Sequence, residues 1–356
     1  MEKDRIKIGI TQGDINGVSY EVIIKTLADL QLLEMFTPVI YGSPKVAAYY
    51  RKMLDIQGFN LNIINSVQEA NSRKVNMIDC CDDLKVETGK ASVEAGQAAM
   101  ASLSRAVADL KEGLIDALVT TPVDRESIST AEQPFLGHAE YLEKQFNQKD
   151  GSFSLLLNDN FRVALLTRHI PLSNVSKTIT KDLLINKLKQ LNKILIQDFG
   201  VRRPRIAVLS LNPPAGEGED VTFGSEEAEI FVPAIKQLND SGMVCVGPLA
   251  ADLFFGSGDF SKYDAVLAAY HDQGMAPFNA VSVDMGVNYT ANLPVIRTAP
   301  LHGTEYDIAG KNIASEESFR NALYEAIDIY RNRKLYEKIN ANPLKKQEAD
   351  RRGNSE

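Results

Sequence analysis

Cysteine is scarce: Cys80, Cys81 and Cys245 are the only three among 356 residues. An odd, sparse set does not make a disulfide framework and suits a reducing compartment. Cys80 and Cys81 are adjacent, poor geometry for a shared bridge or a metal clip, so all three read as packing residues. No stretch approaches the roughly 18 consecutive apolar residues of a membrane span. The charged start, Glu2 to Arg5, runs directly into a short apolar strand without a hydrophobic segment of signal-peptide length. The expected location is the cytoplasm. A basic excess is also missing. Lys and Arg total 39 against 47 Asp and Glu, a net charge of -8, which argues against a nucleic-acid binder but leaves room for a local anion site. No Gly-x-Gly-x-x-Gly follows the first strand, and there is neither a Walker loop nor a Gly-x-Ser-x-Gly elbow. A dinucleotide, if bound, is not bound in the Rossmann manner.

What is present is the material of a large core, 44% hydrophobic and 24% charged residues. Short apolar runs alternate with amphipathic stretches. Strands are expected at Lys7 to Thr11, Thr37 to Tyr41, Val75 to Ile78, Ala117 to Thr120, Arg205 to Leu209 and Asp264 to Ala268. Helices are expected from Ser19 to about Asp29 with Ser19 as cap, after Ser43-Pro44, at Ser92 to Leu110, Lys181 to Phe199, Glu226 to Asn239 and Ser315 to Arg333. Phe153 to Leu157 and Arg162 to Leu166, separated by Asn158-Asp159-Asn160, suit an antiparallel pair, and Val295 to Arg297 is short and extended. The alternation points to a parallel α/β sheet. From Pro343 on the chain is polar and reads as a frayed tail.

Polar clusters follow the strands: Thr121-Pro122, Thr167-Arg168-His169, Asn212-Pro213-Pro214 and Tyr270-His271-Asp272. Ligands of open α/β sheets bind outside the carboxyl ends of strands, so position alone groups these clusters. Only four histidines occur, His138, His169, His271 and His302, each expected in a loop. His169 and His271 end comparable apolar runs, and two imidazoles from separate strand ends can share a divalent ion. A surface histidine is the plain alternative for any one of them. His138 follows Gly137 at a helix start, where free N–H groups favour an anion. His302 opens a loop of small and polar residues running to Lys311.

These motifs together resemble the 4-hydroxythreonine-4-phosphate dehydrogenase family, in order from Ile8 to about Lys311. The resemblance rests on Thr11-Gln12-Gly13-Asp14-Ile15-Asn16-Gly17, Gly137-His138-Ala139-Glu140, Thr167-Arg168-His169-Ile170-Pro171-Leu172, Leu211-Asn212-Pro213-Pro214-Ala215-Gly216-Glu217, Gly247-Pro248-Leu249-Ala250-Ala251-Asp252, Tyr270-His271-Asp272-Gln273-Gly274, Gly286-Val287-Asn288 and Leu293-Pro294-Val295-Ile296-Arg297-Thr298. It implies an α/β, two-domain isocitrate/isopropylmalate dehydrogenase-like fold with an interdomain cleft. The domains would be residues 1–125 plus 295–340, and 126–294, with 341–356 as tail. It implies a homodimer with shared active sites, NAD (or NADP), and a divalent metal such as zinc, magnesium or cobalt. The implied reaction is oxidation and decarboxylation of a small phosphorylated hydroxy-amino acid, 4-phosphohydroxy-L-threonine. His169 and His271 become metal ligands. His138, Ala139, Asn279, Asn288 and Arg297 fall at substrate positions, Asp272 and Asn279 at catalytic ones. His302, Gly303, Asp307 and Ala309 fall in the adenosine-binding loop.

Three of these positions depart from the family pattern. Pro214 stands where a third metal histidine is usual, Asn279 where a lysine is usual, and Ala139 where a threonine is usual. Arg125 replaces a lysine and keeps its charge. Disturbing even the groups around metal ligands can cost roughly 10- to 100-fold in affinity. Two expectations follow: a working dehydrogenase with altered metal coordination, or a diverged paralogue that acts on another phosphorylated hydroxy acid or only binds ligand.

Overall fold

The computed structural model describes residues 5–342 except 82–83, 131–133, 150, 160 and 214–223. The elements run β1 (Lys7–Thr11), α1 (Ser19–Leu27), β2 (Thr37–Gly42), α2 (Pro44–Met53), β3 (Leu61–Ile64), β4 (Val75–Asp79), α3 (Val93–Lys111), β5 (Ala117–Val119), α4 (Arg125–Ile128) and α5 (His138–Gln145). They continue with β6 (Phe153–Leu157), β7 (Arg162–Leu165), α6 (Val175–Thr178), α7 (Lys181–Gln197), β8 (Arg205–Leu209), α8 (Val232–Asp240), β9 (Val244–Leu249), α9 (Ala251–Gly256), β10 (Ala265–Ala268), α10 (His271–Val281), β11 (Val287–Ala291), β12 (Arg297–Pro300) and α11 (Glu317–Asn340).

The strands form one sheet in the order β3-β4-β2-β1-β5-β12-β11-β6-β7-β10-β8-β9. Pairing is parallel from β3 through β12 and from β7 through β9; the junctions β12/β11, β11/β6 and β6/β7 are antiparallel. The expected α/β character and the antiparallel pairing of β6 with β7 are both present. Helices cover both faces. The largest apolar cluster joins α1, α2, α7, α8 and α11 to the sheet. Two smaller ones lie under α3 with α5, and under α9 with α10.

Local chemistry explains the long helices. Ser92 caps α3 by accepting from Ala95 N at 3.2 Å, Glu94 and Lys111 complement its dipole, and Ala99, Leu103, Ala106 and Leu110 form its buried stripe. Thr180 caps α7 in the same way, accepting from Leu183 N at 3.2 Å.

Several expectations need correction. Ser19 does not cap α1; Val18 holds that position, and the Ser19 hydroxyl instead donates to Pro122 O at 3.3 Å. The stretch near Val295 forms its strand later, at Arg297–Pro300, because pairing with β5 and β11 begins there. The helix expected from Glu226 opens with a π-turn over Glu227–Phe231. His271 lies not in a loop but at the first position of α10, and His138 opens α5, the helix start expected after Gly137. Pro214 and Glu217 lie outside the described residues, as does the chain from Pro343 on.

Candidate active site

A cavity of about 300 Å³ lies over the antiparallel centre of the sheet. Side chains alternate along a strand, and the register puts Ser154 and Leu156 of β6, Leu165 of β7, Asn288 of β11, and Arg297 and Ala299 of β12 on one face. These residues form the floor. Thr120 to Val123, Phe135 with Gly137 to Glu140, Arg168 with His169, His271 with Met275, and Leu301 to Gly303 form the walls.

Arg297 is 5% exposed. Its Nε donates to Thr120 Oγ1 at 2.9 Å and its Nη1 to Thr290 Oγ1 at 3.0 Å. Among the described residues no carboxylate pairs with it. Burial pushes the guanidinium down to about 9, against a weaker opposing pull from Glu140, so it remains charged at neutral pH. A buried cation held by hydroxyls alone costs solvation energy that only an anion recovers well.

The orphaned polar atoms sit around it. His138 Nε2, Asn288 Oδ1 and His302 Nε2 are buried without partners among the described residues, and all three residues line this cavity. Gly137 precedes His138 as the N-cap of α5, and the imidazole packs edge-on to Phe135 with ring centroids 5.5 Å apart. Burial first, then Arg297 and Arg125, holds the His138 imidazole well below its ordinary range, so it is neutral. Its Nδ1 and Nε2 then divide one donor and one acceptor between them.

Opposite lie His169 and His271, ring centroids 5.8 Å apart. The Tyr270 to Gly274 motif explains how His271 is placed. Gln273 ties the start of α10 to two strand ends, its Oε1 accepting from Ala269 N and its Nε2 donating to Ser210 O, both at 2.7 Å. Gly274 lets the helix lie on the sheet: a Cβ there would come 2.6 Å from Leu165 Cδ1's sister methyl, Cδ2, and 3.0 Å from Val163 Cγ1. His169 is set by Thr167, whose hydroxyl donates to Ala269 O at 2.8 Å. Although His169 reaches solvent, partial desolvation first, then Arg125 and Arg168, keeps its imidazole below the ordinary value. Neutral imidazoles are the form that binds metal.

The pair fits part of a divalent-ion site, since two rings at this separation can flank one ion with ligand nitrogens about 2.0–2.1 Å away. The 2.7 Å contact of His271 Nδ1 with Asp272 Oδ1 orients that ring as a ligand's outer partner does. Among the described residues, no group of three His, Cys, Asp or Glu side chains is arranged to hold a metal.

The other expected site residues divide. Ala139 is buried in the cavity wall, and His302 and Gly303 form its rim. Asn279 does not line this cavity; it lines a neighbouring one of about 260 Å³ with Ser282, Asp284, Glu305 and Ser315, and the two cavities share Leu301 and His302 as a wall. Asp272 lies outside both, its side chain 86% exposed. Asp307 is exposed and Ala309 buried, and neither lines a cavity here. Arg125, Arg168 and Glu140 line the site although sequence reasoning assigned them no role. Arg168 Nη2 stands 4.0 Å from Glu140 Oε1, and its Nη1 donates to Ser154 Oγ at 3.4 Å.

A parallel-dominated α/β protein whose sheet centre carries an unpaired buried cation beside an imidazole pair has the form of an enzyme for small anionic substrates. The family model of the pyridoxal phosphate biosynthetic protein PdxA matches residues 34–326, and the chain belongs to that family. It is thereby a dehydrogenase. It is 52% identical to the 4-hydroxythreonine-4-phosphate dehydrogenase of Bacteroides thetaiotaomicron, over 100% of this chain and 97% of that one. It is 36% identical to the D-threonate 4-phosphate dehydrogenase of Cupriavidus necator, over 90% and 96%. The crystal structure of 4-hydroxythreonine-4-phosphate dehydrogenase from Klebsiella pneumoniae superposes with a TM-score of 0.79 at 31% identity, covering 93% of this chain and 99% of that one. Among the described residues no helix is long and apolar enough to cross a membrane.

Proposed function

We propose that the chain catalyses the NAD-dependent oxidation and decarboxylation of 4-phosphohydroxy-L-threonine to 3-amino-2-oxopropyl phosphate, a step of pyridoxal 5'-phosphate biosynthesis. The observation that carries this reading is Arg297: a buried, uncompensated guanidinium beside the orphaned His138 Nε2 and Asn288 Oδ1 asks for an anion that also accepts and donates hydrogen bonds. A phosphorylated amino acid with a secondary alcohol meets that demand.

In this reading Arg297, His138 and Asn288 bind and orient the substrate, and Arg125 and Arg168 add positive potential at the mouth. His169 and His271 would hold a divalent ion, which when bound supplies Lewis acidity towards the alcohol and, later, the ketone oxygen. A nicotinamide cofactor held beside them would supply the hydride acceptor. His302 lies on the wall shared by the two cavities and Gly303 beside it lines the first, which suits a loop that brings a cofactor to the substrate. Asp307 and Ala309 support that loop's adenosine end. As the carboxylate leaves as carbon dioxide, its bonding electrons pass towards the ketone oxygen; they return to the neighbouring carbon as it takes a proton from solvent water, and the ketone is re-formed. The amide of Asn279 is no acid and cannot supply that proton. Asp272, exposed and outside its own chain's cavity, suits a role in the neighbouring site of a homodimer. The two parallel blocks of the sheet would be the two domains beside the cleft.

A second reading is favoured by the Ala139 methyl in the wall and by the relative named for D-threonate 4-phosphate: another phosphorylated hydroxy acid is the substrate. Purified protein with NAD and added zinc, magnesium or cobalt separates the two by NADH absorbance. Turnover with 4-phosphohydroxy-L-threonine supports the first. Turnover with D-threonate 4-phosphate alone overturns it in favour of the second, and no NADH from either leaves a ligand-binding paralogue.

A further inference from the structure

The first motif, Thr11 to Gly17, contributes no side chain to either cavity, yet Gln12, Asp14 and Asn16 are fully buried polar residues. Their bonds lead outward to the walls of the site. Asp14 Oδ1 accepts from Asn16 N at 2.8 Å, and Asp14 Oδ2 accepts from the Tyr306 hydroxyl at 2.7 Å. Val18 N donates to Thr304 O at 3.0 Å. Gly17 permits this approach, since a Cβ there would come 2.5 Å from Thr304 O. On its other side the motif holds the opposite wall: Asp14 N donates to Pro122 O at 2.9 Å, and Thr121 Oγ1 donates to Thr11 O at 2.9 Å. Asn16 pins a third segment, accepting from Glu87 N and Gly89 N and donating to Lys90 O.

The loop so gripped is not relaxed by itself. Glu305, between the two anchored residues, has φ 46°, a left-handed conformation that a glutamate adopts only when its surroundings impose it. Tyr306 is next in sequence; His302, on the shared wall, and Gly303, in the first cavity, are four and three residues before it.

We propose that Asp14 and Tyr306 form a latch that positions the 302–306 segment, so that the first motif sets cofactor affinity without touching the cofactor. The proposal rests on the reading that this loop receives NAD. The latch acts on pre-organisation: without it the loop samples relaxed conformations, and binding must order it again.

Two measurements on the full chain test this, hydrogen exchange of the amides of residues 302–311 and the calorimetric affinity for NAD, with kcat and KM followed in parallel. In Tyr306→Phe and Asp14→Ala the exchange should accelerate, and NAD affinity and KM for NAD should worsen by ~10-fold, as for loss of a hydrogen bond to a charged group. Turnover at saturating NAD should stay within about twofold, because the reacting groups are untouched. Asp14→Asn, which can donate to the Tyr306 oxygen, should restore both readouts and shows that a fold defect is not the cause. Unchanged exchange in Tyr306→Phe overturns the latch itself. Faster exchange with unchanged NAD affinity overturns the proposal through the cofactor reading of the loop. A fall in kcat without a change in KM for NAD overturns the positioning role.

Discussion

Arg297 makes the strongest energetic demand of any residue in the cavity, because Thr120 and Thr290 satisfy its geometry but not its charge. Replacing it with methionine keeps the packing and removes the demand. Affinity for the phosphorylated substrate should fall by about 1.5–3 kcal/mol, roughly 10- to 150-fold by calorimetry; an unchanged Kd would remove Arg297 from the site. His138 carries a pH signature. Its folded pKa lies below the ordinary 6.5, so a proton unavailable to the folded chain is taken up on unfolding. The associated stability is intact above 6.5 and is lost as the pH falls from there towards the folded value. His138→Gln should flatten the fall in melting temperature between about pH 7 and pH 5. Parallel profiles for the two proteins would show that His138 does not titrate in this way.

Among the elements, α10 shows why motif residues that look catalytic need not be. Of Tyr270 to Gly274, only His271 reaches the substrate cavity; Gln273 and Gly274 seat the helix. Gly274→Ala should cost about 1–3 kcal/mol in a denaturant titration, the range for overfilling a packed interior, and should disturb His271 with it. A substitution that leaves both stability and metal affinity unchanged would mean that Leu165 moves aside freely. The sequence made the cap at Ser43 legible because a cap is local chemistry, but it also pointed to one at Ser19 that is not there, and the caps at Ser92 and Thr180 emerge only in the structure. It made His138, His169, His271 and Arg297 legible as well, since all four stand in recognisable motifs. It did not reveal β3 or β11, whose short runs mix polar with apolar residues, or β9, whose apolar run is broken by Gly247-Pro248; all three gain strand form by pairing with other strands. Ser154 was hidden as well, because the face it shares with Asn288 and Arg297 exists only once β6, β11 and β12 pair, whereas Arg168 was grouped with the site by its polar cluster but given no role of its own. Asn279 shows the converse, a motif position whose side chain opens onto the neighbouring cavity.

For the molecule as a whole, sign of charge divides outside from inside. The chain carries -8 overall, whereas among the described residues its cavity is lined by Arg125, Arg168 and Arg297 with Glu140 as the one carboxylate. A phosphorylated substrate thus meets a repelling body and an attracting mouth, and salt screens both over about 10 Å at 0.1 M. Arg125 is the exposed member of the three. The slope of kcat/KM against ionic strength should therefore change in Arg125→Ala more than in a distant surface control; identical slopes would show that the local field does not steer substrate.

The sheet order also has a consequence for synthesis on the ribosome. β12 completes the first parallel block by pairing with β5, yet it is made after every strand of the second block. The block that begins the chain must therefore wait, its β5 edge open, while β6 to β11 emerge and can already pair with one another. Arrested nascent chains should show protease resistance spreading first through residues 153–291, and through the amino-terminal strands only once residues 297–340 have cleared the exit tunnel. Early protection of β1 to β5 would instead mean that the five strands close without their last neighbour.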